Sequence, residues 1–546
     1  MSKGRFYLEQ DFNALGPEAD NDLHYTVPSE HQPLLENDPP TLPEGLGDNE
    51  NDERPAPKNA ALIIFCVACM TFIGSFLGGL ITVDIPQIAS ELKLDPGVEL
   101  WPVSMQSLST GCTLLLAGSI SDAVGSRKIF LLGCFLQCIF TAACGLSQNG
   151  TQLIAFRIMS GVAISLCLPS AMSINVENFP AGRLRNMAFA FMGGGQPIGF
   201  GTGVIVGGVF ADTIGWRWGF YCAAIASALG FLLSLWQLPL QPKDLEKIAW
   251  EHLVVCIDWV GTFAASASMA FLLYALAVIT NDVQKIRDPD VLGPLILAGG
   301  LLVGFVVWQR RQEKLDRPTV IQNSLWRNTA FTAVCMNVFL IWGSFNATEQ
   351  VINFVFQRVQ GLSVLATSWQ FLPIPISGTL SSLITGLILH RVRADIIIST
   401  TTIISSFSPI MMALSDPAWS YWRCSFPAIF LNCIAADSFF TISNMVIAGV
   451  FPSETQGLAA GVFNTISQIG KAVGMALTAT IANAVTEHGL EEPDTRNSEE
   501  RYRIALMSGY RAAFYFLFAM NVMSLVVSFV GLRKIGYVGR AVETRN

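Results

Sequence analysis

Charged side chains are scarce in this sequence. Asp, Glu, Lys and Arg make up 14% of its 546 residues, and 51% of the residues are hydrophobic. An ordinary soluble domain carries about 25% charged residues. A water-soluble fold cannot hide that much apolar surface, and mean hydropathy is +0.47. The class expected is an all-α polytopic membrane protein, with the lipid bilayer as its solvent. Basic residues are few, 33 against 41 acidic ones, which excludes nucleic acid as a partner. A disulfide framework is missing too. Most of the twelve cysteines, among them Cys66, Cys69, Cys112, Cys134, Cys138, Cys144 and Cys167, fall inside apolar runs, where cysteine acts as a small hydrophobe. No Cys/His cluster has metal-site spacing. No phosphate loop or nucleophile elbow is present, so no ATP motor, enzyme activity or cofactor is expected. The polar N-terminus shows no cleavable signal peptide, and the first apolar run is expected to serve as its own insertion signal.

Residues 1–58 are rich in Pro, Asp, Glu and Asn, with 13 acidic and 4 basic side chains. They cannot bury enough surface to fold and read as a disordered, acidic cytoplasmic tail. Within them Glu30, four residues before Leu34-Leu35, resembles a dileucine sorting signal; an acidic tail also produces such a spacing by chance. Apolar runs of about 20 residues, each enough to cross roughly 30 Å of hydrocarbon, then lie near 60–82, 100–119, 129–147, 151–174, 187–209, 218–239, 258–279, 290–309, 329–350, 366–389, 394–414, 422–449, 456–483 and 510–532. Fourteen spans put both termini on one side. Arg127, Lys128, Arg183, Arg185, Lys243, Lys247, Arg391, Arg393 and a basic stretch from Arg310 to Arg327 fall in gaps on the tail's side. That bias predicts both termini in the cytoplasm. The expected organisation is a six-helix bundle over 59–240, a linker with two extra transmembrane helices over 241–327, a second six-helix bundle over 328–533, and a cytoplasmic tail over 534–546.

Between the second and third runs stands GSISDAVGSRK, residues 118–128. In a tight turn Gly118 and Gly125 let two helix ends approach. Asp122 can cap a helix or pair with a cation, and Arg127 and Lys128 hold the turn on the cytoplasmic face. This G-x-x-x-D-x-x-G-x-R-K pattern resembles the signature loop of the major facilitator superfamily, read as a conformational gate. A weaker echo, Gly386 to Arg393 with His390 in place of the acid, lies in the equivalent gap of the second half and fits an internal repeat.

Arg157 sits in LIAFRIMSGVAISLCLP. A charge inside a span normally faces the bundle interior and has a partner. The surrounding R-x-x-x-G with Pro169 resembles the fourth-helix motif of drug:proton antiporters, which implies a role in proton transfer. Gly195, Gly199, Gly203 and Gly207 recur every four residues and line one helix face, a groove for another backbone. With GWRWGFY after it, this stretch resembles the fifth-helix signature of the fourteen-spanner drug:proton antiporter family, most like its fungal members. Two departures stand out. Val204 occupies the position where that family usually has proline. Leu77 stands where the first helix often carries aspartate, and Asp84 appears nearer the outer end, either as a helix-end carboxylate or as a proton-coupling candidate.

Asp437 and Lys471 fall near mid-span in two later runs. Unpaired, either charge is costly; together they would neutralise each other and can exchange a proton as their separation changes. Glu349 is expected at the outer end of the ninth span, lining a substrate path. The sequons at Asn149 and Asn346 hug or enter spans, so neither is expected to be glycosylated efficiently. The resemblance implies a monomeric secondary transporter that exports lipophilic organic compounds in exchange for protons by alternating access, most simply in the plasma membrane, with a vacuolar membrane left open by Leu34-Leu35. Its rivals are an importer or uniporter of a small solute in the same fold and a non-transporting membrane sensor.

Overall fold

The structure, a computed structural model, describes residues 59–95, 98–179, 183–239, 258–281, 287–315, 317, 319–321, 323–327, 329–389, 391–450, 453–491 and 498–533. The N-terminal tail with Leu34-Leu35, the linker residues Lys243 and Lys247, His390 and the C-terminal tail lie outside these, as do the side chains of Asp122, Arg183 and Arg185. Fifteen α-helices are described: α1 Ala60–Leu92, α2 Trp101–Val124, α3 Ser126–Leu146, α4 Gly150–Asn178, α5 Arg183–Thr213, α6 Arg217–Gln237, α7 Trp259–Asn281, α8 Pro289–Lys314, α9 Thr329–Phe354, α10 Val364–Gln370, α11 Pro373–Ile388, α12 Ala394–Leu414, α13 Ser425–Val450, α14 Ser453–Glu491 and α15 Ser498–Gly531. A π-turn, Val355–Val359, continues α9. With α10 and α11 taken as one segment broken at Phe371-Leu372, twelve helical segments among the described residues are long and apolar enough to cross a membrane; α2 and α5 are not among them.

The breaks between passes have local causes. Gly125, at φ 112°, is the single residue between α2 and α3, and Gly215, at φ 99°, separates α5 from α6. Both lie in the left-handed region that only glycine enters cheaply. At the start of α4 the Asn149 side chain accepts from the Gln152 N–H at 2.9 Å, and at the start of α10 Ser363 accepts from Ala366 N–H at 3.2 Å, as N-caps do. Pro373 opens α11, where a missing N–H costs nothing.

Helix contacts fall into two groups. In one bundle α1 runs along α5 and touches α4 and α6, α2 packs on α4, and α3 packs on α4 and α6. In the other, α9 packs on α13, α14 and α15, α12 on α13 and α15, α11 on α13, and α14 on α15. The seam between the bundles is made by α2 with α14, by α5 with α10 and α11, and by α1 with α9. The extra pair, α7 and α8, is clasped by Asp258, which accepts from Gly261 N–H and Trp308 Nε1 at 2.9 Å and from Gln309 Nε2 at 2.6 Å. Helix α7 lies against both α2 and α14, and Ser266 Oγ donates to the Cys112 carbonyl at 2.7 Å.

Candidate functional site

The glycine groove of α5 has a definite occupant, which is α1. A Cβ at Gly195 would come 3.6 Å from the Ala68 carbonyl oxygen. At Gly199 it would meet Phe72, at Gly203 Phe76, and at Gly207 Leu80 and Asp84. The partner residues advance in step, so the two helices run parallel, backbone against backbone. In return, a Cβ at Gly79 of α1 would collide with the Phe200 carbonyl on α5. Val204, at the position of the expected proline, is buried in this contact; the proline of α5 is Pro197.

The 118–128 segment is a helix junction rather than a loop. Only Gly125 is non-helical, since α2 runs to Val124 and α3 starts at Ser126. Gly118 faces α4, with Pro169 Cβ 3.7 Å from where its own Cβ would be. Arg127 Nε donates to the Leu238 carbonyl at 2.9 Å and its Nη2 to the Leu235 carbonyl at 3.0 Å. These carbonyls end α6, where a cation satisfies both orphan acceptors and the helix dipole. Lys128 is half-buried beside it. The second half repeats the device. Arg393, at the start of α12, donates to the Arg533 carbonyl just past α15 at 2.8 Å and grips Asp395 with two bonds of 3.0 Å. The expected echo rests on Gly386 and His390, and His390 lies outside the described residues.

Charges gather along the seam. Arg157 is 1% exposed; its Nε donates to the Pro102 carbonyl at the start of α2 at 2.9 Å, and its Nη1 has no partner. Glu349 is 3% exposed, with Oε1 likewise without a partner. Lys471 on α14 lies within electrostatic reach of both Glu349 and Arg157. Glu349 in turn lies within reach of Lys471 and Asp437. Asp437 sits opposite Gly378, where a Cβ would lie 2.5 Å from Oδ2 and 3.3 Å from Pro197 of α5. Beneath this layer Trp342 packs edge-on against Phe345 and Phe440, with centroids 5.9 and 6.4 Å apart. Buried charges of this kind cost several kcal/mol each unless paired or protonated.

Two expectations change in this geometry. The opposite charge acting on Lys471 is Glu349, not Asp437. Glu349 is also no helix-end residue: α9 runs on to Phe354 and the π-turn carries it through Val359. Asp84 is wholly buried rather than a helix-end carboxylate, facing Gly207 with both carboxylate oxygens unpartnered.

Residues 64–475 match the family model described as Major Facilitator Superfamily. The chain belongs to this superfamily. It is a multi-pass membrane transporter, with twelve helical segments among the described residues long and apolar enough to cross a membrane. Curated relatives cover most of its length. MFS-type transporter 1 of Pyricularia oryzae is 38% identical over 524 residues, 89% of this chain and 85% of that one. A low affinity ammonium transporter of Saccharomyces cerevisiae is 24% identical over 78% of this chain and 79% of its own. Efflux pump terJ of Aspergillus terreus is 24% identical over 85% and 86%.

For this superfamily member, charge alone did not reveal Glu99 and Arg358, which form an ion pair between the α1–α2 connection and the π-turn after α9. Nor did it reveal the amides Gln350, Asn353 and Gln357. Their spacing of three and four along one helix face was the available signal.

Proposed function

We propose that this protein exports lipophilic organic compounds, such as drugs, toxins or secondary metabolites, in exchange for protons. The bundles over 59–240 and 328–533 rock about the seam, with residues 241–327 between them, so that the central layer faces one side of the membrane and then the other. The protein acts as a monomer in the plasma membrane, both termini in the cytoplasm. The observation that carries the reading is the buried Glu349–Lys471–Asp437–Arg157 cluster at the seam. Glu349 with an unpartnered Oε1 can take a proton from outside; once it is neutral, Lys471 loses its counter-charge and the halves lose a reason to stay as they are. Aromatic rings below the cluster suit planar or lipophilic substrates. The efflux pump of Aspergillus terreus supports the direction. The junction at Gly118, Asp122, Gly125, Arg127 and Lys128 fixes the ends of α2, α3 and α6 so that the first bundle moves as one body.

A second reading is an importer or uniporter of a small solute. The relative in Saccharomyces cerevisiae named for ammonium favours it, as do Leu77 and Val204. Transport of lipophilic dyes in cells expressing the protein, with and without a protonophore, separates the two: export that collapses with the proton gradient supports antiport, and uptake indifferent to the gradient supports the second reading.

A further inference from the structure

Pro86 lies inside α1. Proline has no N–H, so the Thr82 carbonyl, four residues earlier, loses its helical donor. A buried carbonyl left without a donor is costly. Here the donor comes from the other bundle: Asn353 Nδ2 of α9 reaches the Thr82 oxygen at 2.6 Å, and Gln350 Nε2 approaches the same oxygen at 3.5 Å. One residue on, Gln357 Nε2 donates to the Val83 carbonyl at 2.7 Å and to Asn353 Oδ1 at 2.8 Å, tying the two amides into a unit. Asn353 is completely buried. Two further ties between the bundles flank this one. Arg358 pairs with Glu99, its guanidinium 4.7 Å over the Phe354 ring. Asp212, near the end of α5, accepts from Leu365 N–H at the start of α10 at 3.1 Å. The five bonds that join the bundles lie at the end of the seam where α1 and α5 finish.

We infer that Asn353 and Gln357 are the latch that holds this end of the seam shut, and that Pro86 is what makes α1 latchable. The inference rests on the alternating-access reading. A proline elsewhere in α1 would only kink the helix; at 86 it presents a naked carbonyl to α9. When the end opens, Thr82 and Val83 exchange the amides for water or substrate groups, and the bundles part without breaking a bond internal to either. In the orientation proposed above this is the extracellular gate, and the state described here is closed to the outside.

The test is a distance distribution, measured on the full-length protein in lipid nanodiscs by pulsed spin-label spectroscopy. Labels on non-canonical amino acids at Asp95 and Ala418, both exposed in connections at this end, report the separation of the bundles. The double variant Asn353→Leu/Gln357→Leu removes the donors while keeping similar volume. Each lost bond should shift the closed-to-open ratio about five-fold, and both together on the order of thirty-fold, so a long-distance population should grow. Pro86→Ala should shift the distribution the same way, because the restored N–H draws the Thr82 carbonyl back into α1; it also carries the test if the double variant does not fold. An unchanged distribution in folded variants overturns the latch. Dye transport by the unsubstituted protein is scored separately, so loss of the latch and loss of the exporter reading are told apart.

Discussion

Replacing Gly203 with alanine should push α1 and α5 apart. The new Cβ would collide with the Phe76 carbonyl oxygen and lie 2.8 Å from the carbonyl carbon and 2.9 Å from Cα. Carbon atoms in contact sit roughly 3.5–4.0 Å apart, so the helices must separate by about 1 Å. The obstacle is backbone and cannot swing aside as a side-chain tip can. Overpacking costs about 1–3 kcal/mol, with a backbone clash toward the upper end. Alanine returns up to about 1 kcal/mol of helix preference, leaving a net loss of about 1–2 kcal/mol. Gly195 is the internal control. Its nearest neighbour would stand at 3.6 Å, an ordinary contact, so Gly195→Ala keeps the helix preference with no clash. Apparent unfolding midpoints of the two purified variants in one detergent make the comparison. Gly203→Ala should fall below the unsubstituted protein and Gly195→Ala should match or exceed it. Equal midpoints would refute the idea that backbone closeness, rather than merely small side chains, is what the stripe provides.

Other outcomes follow from the same geometry. Arg127→Ala and Arg393→Ala should each lower the unfolding midpoint, by about 1–3 kcal/mol of lost charged hydrogen bonds; an effect at only one of them would show that the two clamps are not equivalent. Glu349→Gln and Lys471→Gln should each impair transport, with the double variant recovering on the order of ten-fold of the loss, as coupled neighbours do. Asp437→Asn combined with Lys471→Gln should recover nothing, and the reverse pattern would return Asp437 to the role of partner. Protein made in yeast should show no mass change on endoglycosidase treatment. Asn149 already caps α4, and Asn346 sits inside α9 donating to the Trp342 carbonyl at 2.9 Å.

Much of this was legible in the residues. Gly195 to Gly207 announced a groove because spacing of four maps directly onto a helix face. Which helix fills it was not legible, since α1's matching surface at Ala68, Phe72 and Phe76 carries no special residue type. Arg127 was visible as a charge at a junction, but its grip on the end of α6 depends on a contact 111 residues away. The end of the ninth pass was misplaced for a clear reason: Gln350, Asn353, Gln357 and Arg358 look like the start of a loop when judged by polarity. Their partners lie elsewhere in the chain: Gln350 and Asn353 meet the Thr82 carbonyl that Pro86 frees, Gln357 meets the Val83 carbonyl, and Arg358 meets Glu99. Likewise mid-span placement suggested that Asp437 faces Lys471, whereas depth in the membrane alone does not say which helix faces are turned together.

The central claim is proton-driven export. Its most direct test follows a panel of lipophilic dyes in a microbial host stripped of its own pumps, comparing the protein with its Glu349→Gln variant, each with and without a protonophore. Dye retention should fall on expression of the protein, return when the proton gradient is collapsed, and stay high with the variant. Dye accumulation on expression, or export indifferent both to the protonophore and to the loss of Glu349, would contradict the account.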